Sequence, residues 1–366
     1  MSRPQLQEAA LWRRRSALMG LMGLGAWPAL AAAPDALAAP RPAVLDQPAL
    51  ISAKAQSAAM LAVTRAGTRL VAVGERGIVL LSDDQGQHWR QAPAPVQCTL
   101  TCVCFANEKQ GWAAGHAGVI LYSADGGERW QRQFDGQAAA QSQLDAALAS
   151  GQEQTVAEAR RAVARGADKP FFDLEFIDEQ RGFAVGADSM LFSTDDGGRR
   201  WQSQGLRLPN PGQLHLYALR AVGSSLVVVG EQGLVLRGDV AGTQPFEAVP
   251  APYKGSFFGL LRSAGNHLVA YGLRGSAYQS QDAGRHWQRL DSGLRSSLGA
   301  GVALGGERFL IGSQAGELRQ GRCPEPTLTA APGEPLPLTG LALAADGALI
   351  AASLRGMRRL PPPVLT

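Results

Sequence analysis

Residues 82–89 read Ser-Asp-Asp-Gln-Gly-Gln-His-Trp, and the pattern Ser/Thr-x-Asp-x-Gly-x-x-Trp within them decides the fold. The same pattern begins again at Ser123, Thr194 and Ser280, with identical internal spacing. In each copy a glycine lies fifteen residues before the tryptophan, and a short apolar segment follows that glycine. Strands separated by tight turns at this spacing predict repeated antiparallel β-meanders.

Each residue type in the pattern has a structural use. An aspartate in a turn accepts backbone N–H groups, and glycine adopts the positive φ that such a turn requires. The tryptophan then opens the outer strand and packs between sheets. This pattern is the Asp-box, or BNR repeat, which is typical of propeller blades. We therefore assign structural roles to Asp84, Trp89, Asp125, Trp130, Asp196, Trp201, Asp282 and Trp287.

Degenerate copies of the repeat fill the rest of the chain. Residues 227–236 resemble residues 71–80 but lack the tryptophan, and two more eroded copies lie near residues 309–316 and 348–356. Seven units are expected, beginning near residues 58, 99, 171, 214, 256, 297 and 336. The fold class is therefore an all-β, seven-bladed β-propeller of four-stranded antiparallel blades over residues 58–360, followed by a tail at 361–366.

The last unit is too short for a fourth strand. We expect the segment 39–57 to contribute a closing strand, because closure removes an open sheet edge.

An insertion separates the second and third repeats. Trp130 and Trp201 are 71 residues apart instead of the usual 41, and the excess lies in residues 134–170. Helical spacing there predicts a helical hairpin, with a disordered loop as the alternative. Its expected stripes are Leu144 and Leu148, then Val156, Ala159 and Val163, with Gly151 between the helices, Gly166 at the end, and Thr155 and Glu158 as a capping box.

The N-terminus resembles an export signal. Arginines at 13–15 precede an apolar run at 17–30 and then Ala-x-Ala sites, which is the order of a cleaved signal peptide at residues 1–38. Arg14 and Arg15 also resemble a twin-arginine signal. The alternative, an uncleaved anchor, is disfavoured because the run is shorter than the roughly 20 residues that span a bilayer. We expect a periplasmic protein.

Composition excludes several classes of protein. The formal net charge is only +4, and no Lys/Arg stripe with interleaved aromatics appears, so we expect no nucleic-acid partner. Cys102 and Cys104 lie on one strand about 7 Å apart, too far to bridge, while the pairing of Cys98 and Cys323 stays open. Neither these cysteines nor the five histidines form a metal-like cluster, so we expect buried thiols, no metal, no cofactor and a monomer.

Blade topology defines a candidate working face. In a four-stranded blade the turn between strands 2 and 3 shares a face with the links between blades, and the Asp-boxes lie opposite. The insertion is one of those links. A single polar residue in such a turn is usually just solvated, but seven turns converge around the channel mouth. The expected partner-binding residues are Arg76, His116, Asp188, Glu231, Arg274 and Arg355.

A family resemblance rests on three segments. Residues 74–84, 182–186 and 256–261 (Ser-Phe-Phe-Gly-Leu-Leu) resemble the bacterial, periplasmic relatives of the photosystem II assembly and stability factor, over roughly residues 44–360. The resemblance implies an exported seven-bladed propeller that helps to assemble a membrane protein complex. It further implies that such relatives accompany exporters of the resistance-nodulation-division type. The helical insertion departs from the photosynthetic pattern, which points to a different partner.

The rival class is a sialidase-like glycoside hydrolase. Its Phe/Tyr-Arg-Ile-Pro signature is missing from residues 40–80. Two-carboxylate hydrolysis needs acids that face one cleft, whereas Glu75 and Glu231 belong to units 1 and 4. We therefore expect a binding scaffold with no catalytic residues, and keep the hydrolase as the alternative.

Overall fold

The computed structural model describes residues 41–166, 168–250, 253–265 and 267–363, so the expected signal peptide at 1–38 lies outside the described residues. It confirms a seven-bladed β-propeller of antiparallel sheets. Blade 1 contains β1 (Met60–Ala66), β2 (Arg69–Gly74), β3 (Val79–Ser82) and β4 (Arg90–Ala92); blade 2 contains β5 (Leu100–Phe105), β6 (Gly111–Gly115), β7 (Ile120–Ser123) and β8 (Gln131–Phe134). Blade 3 contains β9 (Phe171–Phe176), β10 (Gly182–Gly186), β11 (Leu191–Thr194) and β12 (Gln202–Ser203); blade 4 contains β13 (Leu216–Val222), β14 (Ser225–Gly230), β15 (Val235–Asp239) and β16 (Glu247–Ala248). Blade 5 contains β17 (Phe257–Arg262), β18 (Leu268–Gly272), β19 (Ala277–Ser280) and β20 (Gln288–Leu290); blade 6 contains β21 (Leu298–Gly305), β22 (Arg308–Ser313), β23 (Leu318–Arg322) and β24 (Thr329–Ala331); blade 7 contains β25 (Leu338–Leu343), β26 (Leu349–Ser353) and β27 (Gly356–Leu360).

The glycine that ends the second strand is needed because another backbone lies against it. A Cβ at this position would lie only 2.1 to 2.3 Å from the carbonyl oxygen of the residue that precedes the inner strand of the same blade. No side chain fits at that distance. This contact explains why a glycine lies at a fixed distance before each Asp-box tryptophan. The glycines are Gly74, Gly115, Gly186, Gly230 and Gly272.

The hydrophobic core lies between neighbouring blades. The second strands are buried almost throughout because a sheet covers them on each side; in β14, every residue is buried. Between blades 2 and 3 the core contains Trp112, Phe171 and Phe192, all essentially inaccessible to solvent. Burial of a large aromatic side chain contributes roughly 1.5–3 kcal/mol, so each interface between blades is a substantial source of stability.

The expected closing strand at residues 39–57 is wrong for the part described. Blade 7 has three strands, and residues 41–57 form two 3-10 turns, Ala43–Leu45 and Ala55–Ser57, instead of a strand. Leu45 is buried against blades 1 and 2, where the Ala49 N–H donates to the Ala94 carbonyl at 2.9 Å. Ala55 packs in the core shared by blades 1 and 7. The segment therefore closes the ring by side-chain packing instead of strand pairing.

The insertion forms the expected helical hairpin between blades 2 and 3, with α1 at Gly136–Ser150 and α2 at Glu153–Arg165. Gly151 ends α1 in the left-handed conformation at φ 69°, and Gly166 ends α2, as the sequence predicts. The predicted capping box is wrong, because α2 starts at Glu153 and Thr155 therefore lies inside its first turn. Neither helix in the described part of the chain has the length and hydrophobicity to cross a bilayer.

The two helices of the insertion have different relations to the propeller. The side chain of Asp135 caps α1 by accepting the Gln137 and Ala138 N–H groups. Three alanines of α1 are buried, and the Ser142 hydroxyl accepts the Ser203 N–H of β12 at 3.0 Å. By contrast, α2 buries none of its residues fully. Helix α1 is therefore part of the outer wall of blade 3, whereas α2 projects from it.

Candidate partner-binding face

The turns between strands 2 and 3 do share a face with the links between blades. In every blade the N–H of the first turn residue donates to the carbonyl of the residue before the inner strand, at 2.9 to 3.3 Å. These donor and acceptor pairs are Glu75 and Ala59, His116 and Thr99, Ala187 and Pro170, Glu231 and His215, Leu273 and Ser256, Gln314 and Ser297, and Leu354 and Pro337. We call this side of the ring the link face. It carries all six residues expected to bind a partner.

Three of those six residues are exposed arginines. Arg76 and Arg274 occupy the second turn position in the left-handed conformation, at φ 53° and 55°, and Arg355 occupies the equivalent position in blade 7. Among the described residues, no hydrogen bond or ion pair engages their guanidinium groups. Three planar cationic donors on one face are thus free to bind carboxylates or carbonyls.

The acidic residues of these turns are already engaged. Glu231 accepts the His215 N–H at 3.2 Å, and Glu75 accepts the Ala59 N–H at 3.1 Å in the corresponding place of blade 1. Asp188 lies 3.1 Å from the ammonium group of Lys169. These carboxylates therefore hold the turns and links in place, and the unengaged charge of the turns themselves is positive. His116, the sixth residue, is exposed at the first turn position of blade 2.

Sequence reasoning missed a ring of bulges at the start of the inner strands. In each blade the second residue of the inner strand is skipped by the pairing with strand 2, which is a β-bulge. The seven bulged residues line the central channel, a cavity of about 400 Å³. They are Leu61, Thr101, Phe172, Tyr217, Phe258, Gly299 and Thr339. Because inner strands begin at the link face, these side chains surround the channel mouth on that face.

Three consecutive blades carry aromatic residues at the bulge. The rings of Phe172 and Tyr217 lie 5.2 Å apart, and those of Tyr217 and Phe258 lie 5.5 Å apart in an edge-to-face arrangement. All three side chains are half-buried. We call Phe172, Tyr217 and Phe258 the aromatic crescent. Their positions near the start of units 3, 4 and 5 were visible in the sequence, but the bulge that directs them into the mouth was not.

Deeper in the channel, four charged side chains form an ion-paired group. The Arg220 guanidinium lies 2.6 Å from Asp173, and the Arg262 guanidinium lies 3.4 Å from Glu175. Burial raises the pKa of Glu175 despite its arginine neighbours. Asp173 and Glu175 hold the pKa of Arg220 above its usual value, although burial acts in the opposite direction. Charges in the channel are thus balanced within the chain.

The opposite side of the ring carries the four Asp-boxes, and we call it the Asp-box face. In blade 2 the Ser123 hydroxyl donates to Asp125 at 2.9 Å and accepts the Gly127 N–H at 2.9 Å, while the Arg129 N–H donates to Asp125 at 3.0 Å. The same three bonds recur around Asp84, Asp196 and Asp282. This geometry supports a structural role for the boxes, which remains a prediction.

The cysteines form no disulfide. All four are free thiols, and Cys98, Cys102 and Cys323 are buried. Burial raises the pKa of Cys98 and Cys104 to about 12 and that of Cys323 to about 11, which disfavours the reactive thiolate. No group of three or more His, Cys, Asp or Glu side chains in the described ranges has the geometry to hold a metal ion.

Fold and repeat together define the class: a seven-bladed β-propeller with a repeated turn motif and an elaborated link face. Residues 152–300 match the family model of photosynthesis system II assembly factor YCF48. The photosystem II assembly lipoprotein Ycf48 of Synechococcus sp. (strain CC9902) is 28% identical over 119 residues, which cover 32% of this chain and 35% of that protein. Its namesake from Prochlorococcus marinus (strain NATL2A) is 34% identical over 47 residues, or 13% and 14% of the two chains. The chain thus matches about a third or less of the length of these curated relatives.

Solved structures extend the similarity over the whole ring. YCF48 with a bound D1 peptide superposes with a TM-score of 0.60 at 13% identity, covering 85% of this chain and 95% of that one. YCF48 from Cyanidioschyzon merolae gives 0.59 at 11% identity, covering 83% and 96%. The WD40 repeats of RRP9 give a TM-score of 0.62 at 12% identity, covering 87% of this chain and 98% of that one. At 11–13% identity, all three structural similarities show the fold alone. The expected resemblance is confirmed: part of the chain is similar to the Ycf48 assembly factors, and its fold is a seven-bladed propeller.

Proposed function

We propose that the chain is a non-catalytic periplasmic scaffold that binds a membrane protein during assembly of its complex. The sequence relatives are named assembly lipoproteins, and one structural neighbour was solved with a peptide of D1, which supports this class of function. The family resemblance implies that the helical insertion is not part of the photosynthetic pattern, and this supports a partner other than a photosystem. Our candidate is an exporter of the resistance-nodulation-division type, or a subunit of such a complex.

One observation carries the proposal: the turns of the link face present free cations, while the acids of the same turns are engaged within the chain. Arg76, Arg274 and Arg355 bind the partner directly, together with His116 at the turn of blade 2. Asp188 and Glu231 contribute by fixing the links and turns around them. Arginine suits this use because its planar donors bind carboxylates and backbone carbonyls in two-point contacts.

The structure gives little support to the alternative of a sialidase-like glycoside hydrolase. Each of the two glutamates in equivalent turns, Glu75 and Glu231, accepts a backbone N–H of its own blade, so neither is presented to a substrate. Asp173 and Glu175 in the channel are paired with arginines. Glycoside hydrolysis by two carboxylates requires a pair of acids on either side of one glycosidic bond.

The test is capture of a partner from detergent-solubilised membranes with the exported chain as bait. Arg76→Ala with Arg274→Ala should weaken capture about tenfold, as expected for two arginine contacts at an interface. The matched control is Arg129→Ala with Arg199→Ala on the Asp-box face, which should change capture little. If the control abolishes capture and the link-face pair does not, the binding face is the wrong one.

The insertion is tested by removing only its projecting part. Removal of the whole insertion would also disturb the propeller, because α1 covers the edge of β12 and supplies buried alanines. Replacing residues 152–165 with a short Gly/Ser loop keeps α1 and should preserve folding. It should weaken partner capture if α2 forms part of the binding surface, and unchanged capture would restrict the surface to the turns.

A further inference from the structure

We propose that the aromatic crescent is a pocket for one aromatic or long aliphatic side chain, carried by an acidic, extended segment of the partner. This inference rests on the proposed function and specifies its chemistry: the arginines bind the segment, and the crescent receives its anchoring side chain. It concerns Phe172, Tyr217 and Phe258, none of which belongs to the turns considered above.

At the channel mouth, some of the bulged residues bond to the next blade, and others are free to contact a bound partner. In blades 2 and 7 the bulged residue is a threonine whose hydroxyl is used: Thr101 donates to the Phe171 carbonyl at 2.7 Å, and Thr339 donates to the Met60 carbonyl at 2.7 Å. These bonds tie each blade to the next. In blades 3, 4 and 5 the bulge carries an aromatic residue instead, and none of these three side chains makes such a bond to another described residue. The aromatic crescent therefore does not connect neighbouring blades by hydrogen bonds, as the threonines at the equivalent positions do.

The crescent is shaped to receive a side chain. Its rings are packed in tilted and edge-to-face contacts, and a part of each ring stays exposed and lines the channel. The Tyr217 hydroxyl makes no hydrogen bond to another described residue, so it is free to pair with a polar atom of the occupant. The neighbouring imidazole ring of His215 is held in place because its Nδ1 accepts the Asp188 N–H at 3.1 Å. A cavity of about 400 Å³ admits side chains but not a folded domain.

Charge identifies the segment that carries the anchor. The ion-paired group deeper in the channel is already balanced, so the side chain that enters should be uncharged. Around the mouth, Arg274 and Lys254 are exposed on and next to blade 5, while Glu231 is bound to backbone. Acidic residues flanking the anchor would therefore meet unengaged cations, and basic ones would be repelled.

The experiment is selection of a displayed random-peptide library on the purified exported chain. We expect enriched peptides to combine Asp or Glu with an aromatic or long aliphatic residue. They should bind the Tyr217→Ser, Phe258→Ser variant at least about tenfold more weakly, since a buried aromatic anchor is commonly worth that much. Enrichment of Lys/Arg-rich peptides, no enrichment, or equal binding to the variant would each overturn the inference.

Two comparisons keep the result interpretable. Tyr122→Ser is the matched control, because Tyr122 is also half-buried but lines a separate cavity of about 440 Å³ between blades 2 and 3 on the Asp-box face. If the double variant melts early, Tyr217→Phe and Tyr217→Ser give the same contrast, with binding retained by the first and lost by the second. Partner capture with the same variants separates the two proposals: capture unaffected by loss of the crescent refutes only this inference, whereas no capture by the unaltered chain refutes the proposed function.

Discussion

Replacing Asp125 with alanine removes the acceptor around which the Asp-box turn of blade 2 is built. Asp125 Oδ1 accepts the Ser123 hydroxyl at 2.9 Å and the Arg129 N–H at 3.0 Å, and Oδ2 accepts Arg129 Nε at 2.9 Å. Burial by itself would raise the pKa of Asp125, yet these bonds hold it below the usual value. The ionised carboxylate is therefore the form that the folded turn stabilises.

The expected loss follows from the exposure of each partner. The Arg129 side chain is 83% exposed, so its ion pair contributes little, at most about 0.5 kcal/mol. The bonds to Ser123 and to the backbone N–H are worth roughly 0.5–1.5 kcal/mol each. We expect Asp125→Ala to lower the free energy of unfolding by about 1–3 kcal/mol. Asp125→Asn keeps one acceptor and should lose less.

Urea unfolding followed by tryptophan fluorescence measures this change. Arg129→Ala is the matched control, because it removes the exposed ion pair and keeps the turn; it should cost less than about 0.5 kcal/mol. Partner capture should follow stability in all three variants. A variant Asp125→Ala that unfolds like the unaltered chain but no longer captures the partner would refute the structural role and place the binding site on the Asp-box face.

Three further predictions concern export, acid and thiols. Arg14→Lys with Arg15→Lys should leave the precursor in the cytoplasm if the signal is of the twin-arginine type; export that survives this change but stops when the general secretion route is blocked would refute it, as cell fractionation would show. Hydrogen bonds to the ionised form, from His88 for Asp84, Thr243 for Asp239 and His286 for Asp282, lower the pKa of all three carboxyls to about 2, against an unfolded value of about 4. Their contribution to stability is thus complete above about pH 5 and is lost as the pH falls towards 2. The urea concentration at the unfolding midpoint should therefore be constant near neutrality and decline in acid, and it should decline less steeply for Asp282→Asn. A midpoint that rises on acidification would contradict this. Iodoacetamide at pH 8 should modify the buried thiols of Cys98 and Cys323 at least about a hundredfold more slowly in the folded chain than in urea, and rapid modification of the folded chain would contradict their burial.

The sequence was most informative where one residue type has one physical use. The glycine before each Asp-box turn marks the place where a link carbonyl lies within 2.3 Å of a missing Cβ, so its spacing located the blades correctly. Gly151 and Gly166 located the helix ends for a different reason, because both adopt a positive φ, 69° and 87°, that favours glycine. The order of strands then assigned the turns and links to one face, and the seven backbone bonds between them agree.

The sequence was less informative where several structures bury the same residues. Leu45 and Ala55 suit a closing strand as well as the two short turns that the structure contains, because either places a small apolar group between blades. Glu231 and Asp188 read as free acids, but their partners are a backbone N–H and a lysine in neighbouring links. The aromatic crescent depends on a bulge, and residue alternation alone does not reveal one.

The way the ring closes has a consequence for how it folds. The Thr339 hydroxyl bonds to the Met60 carbonyl across 279 positions in the chain, and residues 55–57 contact the final blade. Pairing between neighbouring strands does not favour this long-range closure in advance, because no residue in the described part of the N-terminal segment adds a fourth strand to blade 7. Six blades therefore form with both ends of the array open, and closure waits for the last residues. A chain that leaves the ribosome or a translocation pore N-terminus first would expose these two apolar edges until its C-terminal blade is released.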